Sequence, residues 1–155
     1  MKGEKHFIYN GKTFPDPGIH PVPYKPEFFQ DELDLESELF YEIRKSSNIH
    51  PHRLTESDRK QLEEIRSYFL KNSDTFYFLY DQGRLIGSIL FVGNYIQSLA
   101  IAKSYQRKGL GTKLSIFAIN KIFLNGHDSV ELNTLPGNIG AEKLYRKIGF
   151  KEIND

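Results

Sequence analysis

Gln106-Arg107-Lys108-Gly109-Leu110-Gly111-Thr112 is the stretch on which the reading of this chain turns. It follows an apolar run, Tyr95-Ile96-Gln97-Ser98-Leu99-Ala100-Ile101, and precedes Leu114, Phe117, Ala118 and Ile122 at helical spacing, so it carries a strand into a helix. Glycines at a helix start let the backbone approach a ligand, the first N–H groups there lack helical partners, and the dipole favours an anion. Arg107 and Lys108 add positive charge. The segment reads as a cradle for phosphate oxygens, although a tight basic loop fits the same residues. Its glycine spacing and the absence of a Lys-Ser/Thr ending exclude a Walker loop and a dinucleotide fingerprint.

Charge is uneven around this stretch. Residues 82–127 contain no Asp or Glu, only Arg84, Lys103, Arg107, Lys108, Lys113 and Lys121, a net charge of +6 within a chain of +1. Much of the acid lies in Glu27, Asp31, Glu32, Asp34, Glu36, Glu38 and Glu42. Such a bipolar chain suits an anionic ligand at one part and a cationic one at the other; chance differences between solvated faces account for it equally. Near-neutral overall charge gives no field that marks a nucleic-acid partner.

With 155 residues the chain is sized for a single domain, read over 1–155 with residues 1–18 as an N-terminal extension, and it buries a core without staples. The absence of cysteine excludes disulfides, thiolate nucleophiles and cysteine-ligated metals. His6, His20, His50, His52 and His127 form no i, i+4 pair with an intervening glutamate, so no metal is expected. The apolar runs, such as 86–92, are far short of a bilayer span, and Met1-Lys2-Gly3-Glu4-Lys5 lacks a signal-peptide core; no membrane partner and a cytoplasmic location are expected.

Outward from the cradle, Asn125-Gly126 ends the helix that opens near Leu110, residues 130–134 form a strand, and 138–148 form a helix that Gly149 stops. Phe150-Lys151-Glu152-Ile153 begins a last strand. Upstream, residues 75–80 and 85–92 are strands joined through Asp81-Gln82-Gly83-Arg84, and Gly93-Asn94 turns into the strand 95–101. Two helices are expected before these. One covers 35–47 with the stripe Leu35, Leu39, Ile43 and its acids opposite; the other is capped by Thr55 with Asp58 and carries Leu62, Ile65 and Phe69 to about Lys71. Asn10-Gly11 between Phe7-Ile8-Tyr9 and Thr13-Phe14 signals an opening β-hairpin. The sum is an α+β (α/β mixed) domain with a mixed sheet.

Three segments in this order resemble the GNAT superfamily of acyl-CoA-dependent N-acetyltransferases. Residues 95–101 look like its fourth strand, Gln106-Arg107-Lys108-Gly109-Leu110-Gly111 like its pyrophosphate loop, and Asn138-Ile139-Gly140-Ala141-Glu142-Lys143-Leu144-Tyr145-Arg146-Lys147-Ile148-Gly149-Phe150 like its Asn-x-x-Ala-x-x-Leu-Tyr-x-x-x-Gly-Phe helix. The likeness is good over about 76–153, while the first eighteen residues have no counterpart in the usual plan. It implies a twisted mixed β-sheet flanked by about four helices, here with the extra N-terminal hairpin.

The resemblance implies transfer of acetyl from acetyl-CoA, a cosubstrate, to a primary amine of a small molecule or a peptide N-terminus, by direct attack in a ternary complex. Backbone groups of Leu99 and Ile101 would meet the pantetheine arm where the fourth and fifth strands splay. Amides of Arg107, Lys108, Gly109, Leu110, Gly111 and Thr112 would hold the pyrophosphate. Asn138 would contact the pantetheine, and the Tyr145 hydroxyl would act as general acid beside the sulfur. Asn138 after Pro136-Gly137 also suits a helix N-cap, and Tyr145, four residues after Ala141, also extends a packing stripe.

The acceptor amine must lose a proton before it attacks. Gln97 and Ser98 stand where many members of the superfamily place a glutamate base, leaving Glu131 on the next strand, or His50 and His52, as candidates. In the resembled fold the first two helices wall the acceptor site, which makes Tyr41, Arg44, Asn48, His50 and His52 the substrate contacts to expect. A chain of this kind works as a monomer or homodimer. A non-catalytic acyl-CoA-binding regulatory or partner-binding module is the alternative, and turnover separates the two.

Overall fold

The computed structural model describes residues 3–154. Met1, Lys2 and Asp155, which the single-domain reading and the 1–18 extension include, lie outside the described residues. The elements are β1 (Lys5–Tyr9), β2 (Val22–Pro23), α1 (Phe29–Leu39), α2 (Tyr41–Ser46), α3 (Arg59–Lys71), β3 (Phe76–Asp81), β4 (Arg84–Val92), β5 (Tyr95–Ile101), α4 (Leu110–Leu124), β6 (Val130–Thr134), α5 (Ile139–Ile148) and β7 (Lys151–Ile153), with short 3-10 turns between some of them. The seven strands form one sheet in the order β2-β3-β4-β5-β6-β1-β7. Among the described residues only β5 and β6 run parallel; every other pairing is antiparallel. This is the mixed α+β architecture that the sequence led us to expect.

Two apolar clusters sandwich the sheet. On one face Leu114, Ala118, Ile119 and Ile122 of α4 and Tyr145 of α5 pack on Phe7, Tyr9, Ile89, Ile96, Val130 and Leu132. On the other, Phe29, Leu33 and Leu35 of α1 and Phe69 of α3 pack on Phe76, Phe78, Leu90 and Ala100. That second cluster draws its strand residues from β3, β4 and β5 and none from β6, β1 or β7. Gly87 permits the close seat of α4: a Cβ there would lie 2.9 Å from Leu114 Cδ1.

The opening hairpin does not form. A two-residue type I′ turn needs positive φ at both central residues, and neither Asn10 nor Gly11 has it. Gly11 instead makes room for Tyr9, whose hydroxyl would lie 2.6 Å from a Cβ at that position. Phe14 stacks on Tyr9 with ring centres 5.3 Å apart, and its N–H and C=O are both held by the Asn120 side chain of α4. β1 is thus a lone strand inserted between β6 and β7, and it covers the edge at residues 151–153 from within its own chain.

Two further expectations shift. The helix read over 35–47 starts at Phe29 and breaks at Phe40, giving α1 and α2 and five α-helices rather than about four. Its acids are not all outside: Glu32 is fully buried and Glu36 half-buried on the inner face, because Glu32, Leu35, Glu36 and Leu39 share one helical stripe. The capping box of α3 is Asp58 with Gln61, each side chain meeting the other's N–H at 2.8 and 2.9 Å, while the Thr55 N–H goes to Ser37 Oγ.

Candidate active site

A gap in the sheet organises the site. Tyr95↔Glu131 is the one registered pair between β5 and β6 among the described residues, and beyond it the strands part. The cause is visible one strand away. Opposite β4, Leu90 pairs with Ser98 but Phe91 pairs with Ile96, so Gln97 is an extra residue that bends β5. Ala102 N–H donates to Ile86 O across β4. Strand alternation therefore turns the N–H and C=O of Leu99 and Ile101 the other way, into the gap. The Ile101 carbonyl there accepts 2.9 Å from Gln106 Nε2.

At the end of β5 the chain turns into α4 through Arg107 and Gly109, with φ of 62° and 85°. The left-handed turn at Gly109 favours glycine, and a Cβ there would meet nothing within 4 Å, so the space over it is open. The first donor after Gln106 to reach a protein carbonyl is Lys113, to Gly109 O; among the described residues the amides of 107–112 find no protein acceptor. Arg107, Lys108 and Lys113 are exposed around them. Six free donors at the positive end of a 15-residue helix, ringed by cations, form a site whose chemistry suits a pyrophosphate. Gly111 is where the parts meet: a Cβ on it would lie 3.4 Å from Leu144, 3.7 Å from Ile101 and 3.8 Å from Leu99.

Across the gap stands α5. Asn138 caps it, with Oδ1 accepting the Ala141 N–H at 3.2 Å. Tyr145 is 5% exposed and packs edge-on against Phe150 with ring centres 5.3 Å apart. Burial pushes its phenol above the usual tyrosine range, and the Ser115 hydroxyl of α4 opposes this only in part.

The five residues expected at the acceptor wall divide. His50 Nε2 meets Asn48 Oδ1 at 3.0 Å, the His50 and His52 rings lie 4.6 Å apart, and His52 meets Tyr41 edge-on at 6.1 Å. Arg44 Nε donates to Pro51 O at 2.8 Å. These contacts gather all five at the α2–α3 connection, with both imidazoles engaged inside it. Only Tyr41 reaches the cleft of about 440 Å³ outside α1, which Asp34, Glu38, Glu42, Arg53 and Lys103 also line.

The sequence reading missed the burial of Glu32 and the partner of Glu131. Glu32 Oε1 accepts 2.6 Å from Ser88 Oγ in the core. Glu131, one of the candidate bases, is engaged: His6 Nε2 lies 2.7 Å from its Oε1 and Asn94 Nδ2 is 3.1 Å from its Oε2. The alternation of Lys5-His6-Phe7-Ile8-Tyr9 puts His6 on the face opposite Phe7, but no local signal names a partner 125 residues away. Gln97 accepts from the Tyr68 hydroxyl of α3 on that same face. No helix among the described residues is long and apolar enough to cross a membrane, and no group of three or more His, Asp or Glu among them is placed to hold a metal ion.

Residues 20–150 match the family described as Acetyltransferase (GNAT) family. The chain is 26% identical over 102 residues to N-acetylaspartate synthetase of Xenopus tropicalis, which covers 61% of this chain and 38% of that protein. It thus spans less than two-fifths of that relative's length. A GNAT-family acetyltransferase from Colwellia psychrerythraea superposes with a TM-score of 0.72 at 12% identity, over 96% of this chain and 52% of that one. The PaiA N-acetyltransferase of Thermoplasma acidophilum, solved with coenzyme A, superposes with a TM-score of 0.62 at 15% identity, over 85% and 89%. At such identities the two structures speak for the fold.

Proposed function

Because this chain belongs to the GNAT acetyltransferase family, we propose that it transfers acetyl from acetyl-CoA to a primary amine of a small molecule or a peptide N-terminus, by direct attack in a ternary complex. The observation that carries this reading is the run of unpaired amides over residues 107–112, set at the mouth of the β5–β6 gap. Those amides, with Arg107, Lys108 and Lys113 around them, bind the pyrophosphate. The inward-facing backbone of Leu99 and Ile101 pairs with the pantetheine amides as a neighbouring strand would. Asn138 keeps its cap and offers its side-chain N–H₂ to the same arm.

Within this reading the thioester lies deep in the gap and Tyr145 donates a proton to the departing sulfur. The acceptor comes from the side of α1 and α2, past Tyr41, Arg44, Asn48, His50 and His52. Asp34, Glu38 and Glu42 on the adjoining cleft favour a cationic amine.

Acetyl-CoA should raise thermal stability with concentration, by about 2.7 kcal/mol at ~100 times its dissociation constant. Gly109→Val, which sets a β-branched residue at φ 85° under the ligand, should abolish that shift. An unchanged shift in the variant would mean that the cradle is elsewhere.

A further inference from the structure

Acetyl transfer to an amine needs a proton acceptor, and Gln97 and Ser98 on β5 carry no such group. We propose that His6 of β1, positioned by Glu131, is the general base that takes the proton from the acceptor amine. This rests on the acetyl-transfer reading and adds to it a residue from a strand that the family match over residues 20–150 does not include.

Register puts the imidazole in place. Tyr95 is level with Glu131, so two residues on, Gln97 is level with Asn133 across the open gap. Asn133 is the cross-strand partner of His6. His6 therefore stands one strand spacing, about 5 Å, beyond the far lip of the gap. Its ring leans back from the Asn133 level to reach Glu131, towards the closed end where β5 and β6 still pair. Phe7 and Tyr9 point to the α4–α5 face with Tyr145, so His6 and Glu131 point to the opposite one. That face is packed by α1 and α3 only as far as β5; over β6, β1 and β7 it leaves His6 and Glu131 half-buried and Asn133 and Lys151 exposed. Donor and acceptor of protons would thus flank the thioester from opposite sides of the sheet.

The pair has the right chemistry. A carboxylate only accepts, so Glu131 fixes the proton of neutral His6 on Nε2 and leaves the Nδ1 lone pair without a described partner. The His6 side chain is 27% exposed, open to an incoming amine or one bridging water. Asn94 Nδ2 donates to Glu131 Oε2 at 3.1 Å and to Ser129 Oγ at 3.3 Å, which steadies the carboxylate at the strand ends. Around His6 on this face stand Tyr95 of β5, Lys151 of β7 and Glu4, whose Oε1 accepts from Asn133 Nδ2, with Tyr68 of α3 at Gln97 and the buried Glu32 of α1 farther along it.

The protons balance. The acceptor ammonium gives one proton to His6 Nδ1, and the imidazolium later releases it to water. The freed amine attacks the thioester carbonyl carbon, the C–N bond forms and the C–S bond breaks. Tyr145 protonates the departing sulfur, which leaves as a thiol, and the second nitrogen proton, lost as the amide forms, restores the phenol, so one proton is released overall.

The test compares the parent chain with His6→Gln and Glu131→Gln, reading acetyl-CoA binding by calorimetry and acetyl transfer across an amine panel as a function of pH. Glutamine keeps a donor towards Glu131 but cannot take the proton. His6→Gln should bind acetyl-CoA like the parent and lose about 10² or more in kcat/KM near neutrality. The loss should shrink as pH rises towards the amine's own pKa, where solvent supplies the neutral amine. Glu131→Gln, which no longer fixes the Nε2–H tautomer, should bind acetyl-CoA like the parent and lower kcat/KM by less than His6→Gln does. A His6→Gln rate equal to the parent's at every pH, or reduced by one constant factor at every pH, overturns the base assignment and leaves the acetyl-transfer reading standing. A parent that neither binds nor turns over acetyl-CoA overturns both.

Discussion

Glu32 and Ser88 are both fully buried, and the serine hydroxyl donates to Glu32 Oε1 at 2.6 Å from the middle of β4. The other oxygen, Oε2, finds no hydrogen-bond partner among the described residues. Burial and the nearby Glu36 carboxyl together hold Glu32 well above the ordinary carboxylate range. Burial raises Glu36 as well, against the opposing pull of Glu32 and Arg44. An uncompensated charge at this depth is costly, so Glu32 keeps its proton in the folded state.

The stability consequence has a definite sign. The folded state binds the Glu32 proton more tightly than the unfolded state, so its contribution is complete in acid and is lost as pH climbs above the unfolded value near 4.5. Glu32→Gln is neutral at every pH and presents its amide towards Glu36. It should gain about 1–3 kcal/mol over the parent at neutral pH, the scale of relieving a buried polar group, and converge with it in acid. Urea unfolding at a series of pH values reads this. A variant less stable than the parent at neutral pH would mean that Glu32 is charged and paired.

β1 is a structural strand. Phe7 is 0% exposed, and among the described residues β7 has no partner in the sheet other than β1. Phe7→Ala should cost about 3–5 kcal/mol by thermal or denaturant unfolding. Deleting residues 1–14 should go further, releasing β7 and exposing the edge of β6 to self-association. An unchanged melting temperature and oligomeric state in the truncated chain would contradict this packing.

Gly87 tests how α4 is seated. A Cβ on it would stand 2.9 Å from Leu114 Cδ1 and 3.2 Å from Ile101 Cδ1, closer than either neighbour tolerates without moving. Gly87→Ala should therefore destabilise by about 1–3 kcal/mol. Leu114→Ala, which removes the obstructing methyl, is costly alone, but the double variant should lose less than the two single losses combined. Strict additivity would show that the clash is absorbed elsewhere.

These positions mark where sequence is legible. The β5–cradle–α4 passage and α5 were readable because apolar period, glycine punctuation and an Asn cap coincide over short distances at Gly109, Asn138 and Gly149. Asn10-Gly11 misled because the same dipeptide serves a turn or a close approach, and the Tyr9 ring that decides between them acts through tertiary packing. Glu32 misled because a carboxyl on an apolar stripe is ordinarily solvated, and only the fold brings Ser88 to meet it. His6 and Glu131 form their pair through strand insertion, a relationship that no local pattern encodes.

Tyr145 decides whether α5 supplies chemistry or only packing. Its phenol is held up by burial, so it stays protonated through the neutral and mildly alkaline range and is available as a donor. A free thiol titrates near ~8.5, which makes transfer from a phenol to a solvated thiolate unfavourable. A thiolate leaving into the same dry gap would be disfavoured by the same desolvation, which narrows that difference. Tyr145→Phe keeps the ring contact with Phe150 and deletes one hydroxyl, so unfolding free energy should change by about 1 kcal/mol or less. Acetyl-CoA should bind within a few-fold of the parent, while turnover falls by roughly 10² or more, the range for loss of a general acid. The loss should persist at high pH, where solvent frees the amine but does nothing for the departing sulfur, which separates this variant from His6→Gln. Full turnover in Tyr145→Phe would assign the residue to the core alone and leave protonation of the sulfur to water.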